Sequence, residues 1–429
     1  MIRFIDLFAG MGGTRCGFEL AAKELGVETV CVFTSEIKAH AIKSLLQNHP
    51  GEKIHGDITQ INAKTIPDFD FLLGGFPCQA FSTAGKRWGF ADTRGTLFFE
   101  IERILKEKRP AGFLLENVEG LTTHDNGNTL RVILTHLTDL GYKVNYRVLN
   151  SKNFGVAQER KRIYIVGSRN ETVSLTGFKY SKALIKDILQ ANQPISESPF
   201  VKRLLDKFTL EQLYGKAIKD KRGGIDNIHS WDIELRGHVS AEQTMLLNSL
   251  LKERRKKIWA EQIGIDWMDG MPLTTKQIST FFKADNLQAL LDDLATKGYL
   301  KLEHPKRKIV KDNGNGTSTS QRVYDETKPK GYNIVAGKLS FEVSKVLNPN
   351  GFAPTLVATD MQRLYVPDTG GLRKFTLREG LRLFGYPEEY KLNLNENEAF
   401  DLLGNTVVVP VIKAISQRLI EQHLDNTLK

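Results

Sequence analysis

Cysteine is scarce in this sequence. Its 429 residues include three cysteines, Cys16, Cys31 and Cys78. Three are too few for a disulfide framework, and they lack the spacing of metal ligands, so we expect neither disulfides nor a bound metal. Free thiols are typical of a reducing compartment, which predicts a cytoplasmic location.

Long apolar segments are absent as well. No apolar run approaches the roughly 20 residues that a membrane-spanning helix needs, so no contact with a membrane is expected. Residues 1–6 lead directly into a strand-like pattern, and we expect no signal peptide. Hydrophobic residues still make up 41% of the chain, which is enough for a sizeable core in two or three domains.

Basic residues exceed acidic ones. The chain carries 60 Lys and Arg against 50 Asp and Glu, a formal net charge of +10, and residues 191–340 hold 25 of these bases against 19 of the acids. The excess favours a polyanionic partner, because cationic side chains displace the counterions that condense on nucleic acid. A soluble basic protein without such a partner has the same composition, so charge alone does not decide.

Strand and helix patterns alternate along the first 170 residues. This alternation predicts an α/β fold, in which helices cover both faces of a mostly parallel sheet. In such sheets ligands bind beyond the carboxyl ends of the strands, at the topological switch point. The predicted strands are residues 3–8, 30–35, 69–74, 112–116, 143–149 and 162–166, and the predicted helices are residues 14–25, 39–46 and 97–108.

A glycine-rich turn, residues 8–13 (FAGMGG), joins the first strand to the first helix. Glycines there allow a tight turn and a close approach to a ligand, although many such turns are purely structural. Glu36 follows the second strand, where a carboxylate can accept hydrogen bonds from ribose hydroxyls. Asp57 lies near the end of the third unit and is a candidate acceptor for an adenine amino group. Together the three features favour a nucleoside-containing cofactor, whereas each acid alone could be a helix cap or a surface charge.

Cys78 differs from the other two cysteines in its position. It follows a predicted strand and a glycine pair, and it precedes a loop rich in Gly, Ser, Lys and Arg that ends at Gly95. An electropositive and mobile setting favours the thiolate, the nucleophilic form. Cys16 and Cys31 are interpreted as buried structural residues.

Charged residues are also predicted at two further strand ends. Glu116 ends the strand at residues 112–116 and is a candidate acid, with a helix cap or a surface charge as the ordinary alternative. Arg160 and Arg162 head another strand, where alternation places both on one face beside Gln158. A fixed guanidinium there can bind the exocyclic oxygen of a base, a developing negative charge or a phosphate. The alternative is that these basic residues at the start of the strand simply face solvent.

Seven segments resemble the motifs of the C5-cytosine DNA methyltransferases of bacterial restriction–modification systems. They occur in the order of that family and cover roughly residues 1–170 and 350–429, which makes the ordered set very specific. The segments are residues 6–13 (DLFAGMGG), 75–79 (GFPCQ), 94–99 (RGTLFF), 116–118 (ENV), 158–162 (QERKR), 378–387 (REGLRLFGYP) and 404–408 (GNTVV).

The resemblance implies a Rossmann-like, S-adenosylmethionine-dependent methyltransferase domain. It implies Cys78 as the nucleophile, Glu116 as the group at cytosine nitrogen 3, and Arg160 and Arg162 as active-site or structural supports. Ile37 stands where several relatives carry an aromatic residue against the adenine, and we expect Ile37 to pack there without an aromatic ring that could stack. The cofactor-binding residues that it implies are Phe8, Gly10, Met11, Gly13, Glu36, Ile37, Asp57, Ile58, Leu97, Asn405 and Val407.

The resemblance also predicts how the chain is divided. Residues 1–185 and 346–429 would form the catalytic domain, and residues 186–345 would form an inserted target-recognition domain. Within the insertion, residues 272–325 follow the order helix, turn, helix, strand and basic hairpin, which is the outline of a winged helix. An ordinary helical hairpin is an equally good interpretation.

The expected partner is duplex DNA, from which the target cytosine must be flipped because Cys78 cannot reach it in the stack. The loop after Cys78 would close over the flipped base. We expect a monomer that associates with the nucleoid through DNA and acts beside a restriction endonuclease for the same site. The predicted DNA contacts are Ser82, Lys86, Arg87, Arg94, Lys306, Arg307 and Lys308.

Three rival functions remain open at this point. A tRNA cytosine-5 methyltransferase would use the same motifs, but the long middle segment favours duplex DNA because sequence reading needs a groove-contacting module. A catalytically silent DNA-binding protein would not need Cys78, Glu116 and Arg160 together. A dinucleotide-dependent oxidoreductase is the poorest match, since residues 8–13 are not a G-x-G-x-x-G loop.

Overall fold

The computed structural model describes residues 1–76, 96–220, 226–312, 318–335, 341–356 and 361–427. The chain divides into two compact units. The first comprises Met1–Gln193, Asn348–Gln362 and Lys374–Lys429, and the second comprises Pro194–Leu347 and Arg363–Arg373.

A seven-stranded sheet organises the first unit, with the strand order β3-β2-β1-β4-β5-β7-β6. Strands β1 to β5 are parallel, while β7 runs antiparallel to both β5 and β6. The predicted mostly parallel α/β sheet is therefore confirmed. The strands are β1 Ile2–Leu7, β2 Thr29–Ser35, β3 Ile54–His55, β4 Phe71–Gly75, β5 Gly112–Val118, β6 Lys143–Asn150 and β7 Lys161–Ser168.

Helices follow the first strands in alternation, because apolar residues at helical spacing need a sheet face to cover them. On one face of the sheet the core contains Leu72, Phe113 and Ile133, none of which is exposed to solvent. The α-helices that the structure describes in this part are α1 Gly13–Glu24, α2 Ala39–Asn48, α3 Thr96–Lys108 and α4 Asn128–Asp139.

The second unit begins with two helices and a small sheet assembled from distant parts of the chain. Its five strands have the order β16-β15-β14-β8-β9. Residues 363–373 thus belong to the same sheet as residues 217–228, although the predicted division placed them in the return to the catalytic domain. The elements are α5 Pro199–Lys207, α6 Leu210–Leu213, β8 Ala217–Ile218, β9 Asn227–Ile228, β14 Lys345–Val346, β15 Leu364–Asp368 and β16 Gly371–Lys374.

A helical subdomain with its own core lies within the second unit. Trp231, Leu247, Leu291 and Leu300 are among its buried side chains. Its helices are α7 Ala241–Glu253, α8 Ile258–Ile263, α9 Thr275–Ile278 and α10 Leu287–Thr296, and its strands are β10 Leu300–Glu303, β11 Lys306–Asp312, β12 Ser318–Tyr324 and β13 Gly331–Ile334.

After residue 373 the chain returns to the first unit. The helices that the structure describes there are α11 Leu377–Leu383, α12 Glu396–Asn405 and α13 Val409–Thr427. Helix α13 approaches α1 closely at Gly17, where an added Cβ would lie 2.6 Å from the Cβ of Ile412. Within the described residues no single helix is long and apolar enough to cross a membrane, and the bent pair α12 and α13 meets those criteria only jointly. Many apolar side chains of that pair, such as Phe400 and Ile415, are buried in the core.

Candidate active site and cofactor site

Two adjacent parallel strands, β1 and β4, define the switch point of the sheet. Helix-linked strands β2 and β3 lie on one side of β1, and β5 lies beyond β4. The glycine turn of residues 8–13 leaves the carboxyl end of β1, and Phe76 leaves the carboxyl end of β4. Both segments thus start at the edge where ligands bind in this class of sheet.

The glycine turn has a left-handed backbone at three positions, Phe8 (φ 55°), Gly10 (φ 54°) and Gly12 (φ 77°). The Gly10 N–H donates to Oε2 of Glu36 at 2.7 Å. The other carboxylate oxygen, Oε1, accepts from the backbone N–H groups of Ile37 and Lys38, each at 2.8 Å. These bonds fix the carboxylate beside the turn, as the predicted ribose-binding role requires.

The remaining predicted cofactor residues differ in exposure. Ile37 is 74% exposed, so it presents an apolar surface beside Glu36. Asp57 is exposed, and its side chain accepts from the Thr59 N–H at 3.0 Å, which caps a short 3-10 turn beginning at the buried Ile58. Met11 is buried, and its carbonyl oxygen accepts a hydrogen bond from the Tyr390 hydroxyl.

The C-terminal segment packs directly against the glycine turn. A Cβ at Gly13 would lie 2.6 Å from the Tyr386 hydroxyl and 2.8 Å from Val407, so only glycine fits at this first position of α1. The Asn405 amide donates to the carbonyl oxygen of Asp401 at 2.8 Å. Leu97 is partly buried on α3 and packs against the core. The role of Tyr390 was not predicted, because no motif includes it.

Asp6 is a fully buried carboxyl group beneath the glycine turn. Its Oδ1 accepts from the Thr14 hydroxyl at 2.7 Å, which ties β1 to α1. Burial raises the pKa of Asp6 to about 7, although Thr14 and Arg15 act in the opposite direction. This burial could not be predicted from the sequence, since an aspartate at a strand end is usually solvated.

The pKa of Asp6 predicts a pH dependence of stability that Asp6→Asn should remove. The folded protein binds this proton more tightly than the unfolded chain, so its contribution is complete below the ordinary carboxyl pKa and is lost as pH rises through about 7. Urea unfolding at about pH 5 and about pH 8 checks this. The free energy of unfolding of the wild type, relative to that of Asp6→Asn, should be larger at the lower pH. A difference between the two proteins that is equal at both pH values would contradict it.

Glu116 and Arg162 form an ion pair at the ends of β5 and β7. Nε of Arg162 lies 3.1 Å from Oε1 of Glu116, and both side chains are largely buried, at 14% and 12% exposure. Burial raises the pKa of Glu116 more than the neighbouring Arg162 and Arg160 lower it. Gly75, the last residue of β4, is paired with Glu116 in the sheet. The candidate acid therefore lies beside the strand end that leads to Cys78.

Asn117 fixes the start of that segment. Its buried amide donates to the Phe76 carbonyl oxygen at 3.1 Å, and its Oδ1 accepts from the Val118 N–H at 2.8 Å. Cys78 itself lies outside the described residues. Burial raises the pKa of both Cys16 and Cys31 to about 12, which makes these two thiols poor nucleophiles.

Arg160 has different partners from Arg162. Arg160 precedes β7, is 4% exposed, and donates to the carbonyl oxygens of Leu356 (3.2 Å), Gly404 (3.3 Å) and Thr406 (3.0 Å). Its guanidinium also lies over the Phe384 ring, 5.5 Å from the centroid. The arrangement supports the backbone of the C-terminal segment, and it corresponds to the structural role among those predicted for Arg160.

We expect Arg160→Lys to lower the free energy of unfolding by about 3 kcal/mol, because one ammonium cannot replace a guanidinium fork that serves three buried carbonyls. The matched control is Arg147→Lys, an exposed position on β6, which should stay within about 0.5 kcal/mol of wild type. Urea unfolding measures both. Equal free energies of unfolding for the two variants would contradict the proposal that Arg160 supports the backbone of the C-terminal segment.

An open cleft of about 490 Å³ lies at this edge of the sheet. It is lined by Val118, Glu119, Gly120, Glu159, Lys161, Arg162, Pro354 and Thr355. Of the predicted DNA contacts, Ser82, Lys86, Arg87 and Arg94 lie outside the described residues, and Lys306, Arg307 and Lys308 lie on β11 of the second unit.

Comparisons with known proteins identify the family of this chain. Residues 2–421 match the family model for C-5 cytosine-specific DNA methylases. The chain is 59% identical over 426 residues to the Type II methyltransferase M.NlaIV of Neisseria lactamica, covering 98% of this chain and 99% of the relative. It is 41% identical over 456 residues to M.BanI of Aneurinibacillus aneurinilyticus, with 99% and 97% covered.

Solved structures share the fold at low sequence identity. The Entamoeba histolytica methyltransferase EhMeth has a TM-score of 0.53 at 15% identity, and the S. pombe Dnmt2 methyltransferase has a TM-score of 0.51 at 17% identity. In each case 99% of both chains is covered.

Proposed function

Because the chain belongs to the C-5 cytosine-specific DNA methylase family, we propose that it methylates carbon 5 of a flipped cytosine within a specific duplex DNA sequence. The observation that carries this proposal is the buried Glu116–Arg162 pair beside the strand end that leads to Cys78. The similarity of the chain to Type II methyltransferases supports an enzyme of the restriction–modification type. A cognate restriction endonuclease, action as a monomer and association with the nucleoid are further parts of the proposal.

The proposed chemistry begins with the thiolate of Cys78, which adds to carbon 6 of cytosine. Glu116 holds a proton at ring nitrogen 3, which draws electron density from the ring and makes this addition easier. Carbon 5 of the resulting enamine then bonds to the methyl group, which S-adenosylmethionine would supply with its sulfur leaving as a neutral thioether. Loss of the carbon 5 proton to a base then expels the thiolate and restores the ring, so the cysteine is regenerated.

Arg162 is well placed to assist Glu116. Its guanidinium is already oriented by the carboxylate at 3.1 Å and lines the cleft, where it can donate to the exocyclic oxygen of the base. Arg160 acts on the reaction indirectly, by holding the backbone of residues 404–406.

The residues at the switch point fit S-adenosylmethionine, which supplies an electrophilic methyl group when bound. Glu36 offers a fixed carboxylate for the ribose hydroxyls, and Ile37 offers an exposed apolar surface for the adenine. Asp57 is an exposed acceptor at the same edge of the sheet, and the turn at Gly10 leaves room for close approach. Phe8, Met11, Gly13, Ile58, Leu97, Asn405 and Val407 complete the proposed site.

Duplex DNA is the proposed substrate, contacted by Ser82, Lys86, Arg87 and Arg94 around the flipped base and by Lys306, Arg307 and Lys308 in the second unit. Bisulfite sequencing of DNA from cells that express the protein tests the proposal and reads out the target site. We expect protected cytosines at one short recurring sequence. Parallel transfer assays with duplex DNA and tRNA separate the rival substrates, and methylation of tRNA alone would overturn the choice of DNA. Absence of transfer to either would leave the silent DNA-binding alternative.

A further inference from the structure

The helical subdomain of the second unit has the connections of a winged helix. Helices α9 and α10 are joined by residues 279–286 and are followed by β10, which pairs antiparallel with β13. Leu273, just before α9, forms an isolated antiparallel bridge with Tyr332 of β13, beside the pair of strands. The segment between β10 and β13 contains the antiparallel hairpin β11–β12, which takes the place of the wing.

Helix α10 occupies the position that enters the major groove in helix-turn-helix proteins, but its charge opposes that role. It contains two acids, Asp292 and Asp293, and no basic residue. Asp292 accepts from the Gln288 amide at 2.9 Å and from the Tyr332 hydroxyl, and Asp293 accepts from the Gln243 amide at 2.6 Å. These bonds hold both carboxylates on the helix. Asp293 is also paired with Lys297 at 2.5 Å, so the repulsion of phosphates by the helix comes mainly from Asp292.

The hairpin β11–β12 has the opposite charge. Its strands carry five basic residues and one acid. Successive side chains of a strand point to opposite faces, so Lys308 and Arg322 share one face of the ribbon and Arg307 lies on the other. Lys308 and Arg307 are exposed, and neither has an ion-pair or hydrogen-bond partner among the residues that the structure describes.

One detail of the register indicates an external anion. Lys308 lies directly opposite Arg322, and like charges in that position destabilise a strand pair. Arg322 is held in place by the carbonyl oxygen of Trp267, to which it donates at 2.8 Å. Lys306 is oriented over the Tyr324 ring, 4.6 Å from its centroid. The cations are thus concentrated on the hairpin, and a polyanion would relieve the repulsion between Lys308 and Arg322.

From this we infer that the hairpin β11–β12, and not helix α10, enters the major groove of the substrate duplex, with phosphates on both of its faces. The major groove admits a two-stranded β-ribbon, and cations on both faces of the ribbon match the two backbones that border the groove. This inference rests on the proposed function, and it specifies the reading element of the second unit.

The test compares Arg307→Gln and Lys308→Gln, which remove one cation from each face. Lys276→Gln is the matched control, since it removes an exposed cation from α9. Binding of each protein to a labelled duplex of mixed sequence is followed by anisotropy over a range of salt concentrations. Each hairpin variant should lower the slope of log affinity against log salt by about 0.9, and the control should leave it unchanged. Circular dichroism verifies that all three variants fold.

A second measurement identifies the groove. Dimethyl sulfate methylates guanine N7 in the major groove and adenine N3 in the minor groove. Wild type should protect guanine N7 at the duplex site defined by bisulfite sequencing, and the double variant Arg307→Gln/Lys308→Gln should lose part of that protection.

Several results would overturn the inference. An unchanged slope in both hairpin variants would exclude the hairpin from the interface, and a lowered slope in Lys276→Gln would assign binding to the helices. A change in one hairpin variant alone would mean that the ribbon lies flat on the duplex. Methyl transfer by wild type is measured in the same preparation, so failure of the hairpin inference remains distinguishable from failure of the proposed function.

Discussion

Cys78→Ala protein should transfer no detectable methyl group, while it still binds S-adenosylmethionine and duplex DNA. Without the thiolate there is no addition to carbon 6, and carbon 5 of an intact cytosine is too weak a nucleophile to attack a methyl group. Neither of the other two thiols can replace Cys78 as the nucleophile, because burial raises the pKa of Cys16 and of Cys31 to about 12.

Transfer of a radiolabelled methyl group to duplex DNA measures this effect, and filter binding checks that the variant retains its ligands. Cys16→Ala is the matched control, since Cys16 is a partly buried thiol on α1, and it should keep nearly full activity. Appreciable transfer by Cys78→Ala would contradict the covalent route. Loss of activity in Cys16→Ala would show that replacing a cysteine lowers activity by destabilising the folded protein.

Glu116→Ala should lower kcat by about 10²–10⁴-fold, the range expected for loss of a general acid. Glu116→Gln should fall between wild type and Glu116→Ala, because its amide can donate a hydrogen bond to ring nitrogen 3 without supplying a proton. Glu107→Gln makes the same chemical change at an exposed position on α3, and it should leave kcat unchanged.

The pH profile separates catalysis from positioning at Glu116. Burial raises the pKa of this carboxyl group, so the protonated form persists to higher pH than for an ordinary glutamate. Wild-type kcat should fall as pH rises through that raised pKa, and the Glu116→Gln profile should lack this decline. If both proteins declined in parallel, the titrating group would be another residue.

Much of the first unit could be predicted because its signals are local. Strands β1, β2, β4 and β5 lie where short apolar runs indicated them, and each predicted helix among them was found. The approach of Glu36 to Gly10 also follows from the sequence, since both residues lie within three residues of the ends of parallel neighbouring strands.

Non-local contacts could not be predicted in the same way. Strands β8 and β9 are two residues long and belong to a sheet with β15 and β16, more than 130 residues away in sequence. Such pairing leaves no periodic pattern. The contacts of Arg160 could not be predicted for the same reason, because its carbonyl partners lie about 200 residues or more downstream. The catalytic role of Cys78 remains a prediction from sequence and family.

The most direct measurement follows the methyl group itself. Purified protein is incubated with duplex DNA and S-adenosylmethionine that carries a deuterated methyl group, and the DNA is digested to nucleosides for mass spectrometry. The label should appear in 5-methyl-2′-deoxycytidine with wild type and in no nucleoside with Cys78→Ala. Label on a nitrogen of cytosine or adenine, or its absence with wild type, would contradict the proposed reaction.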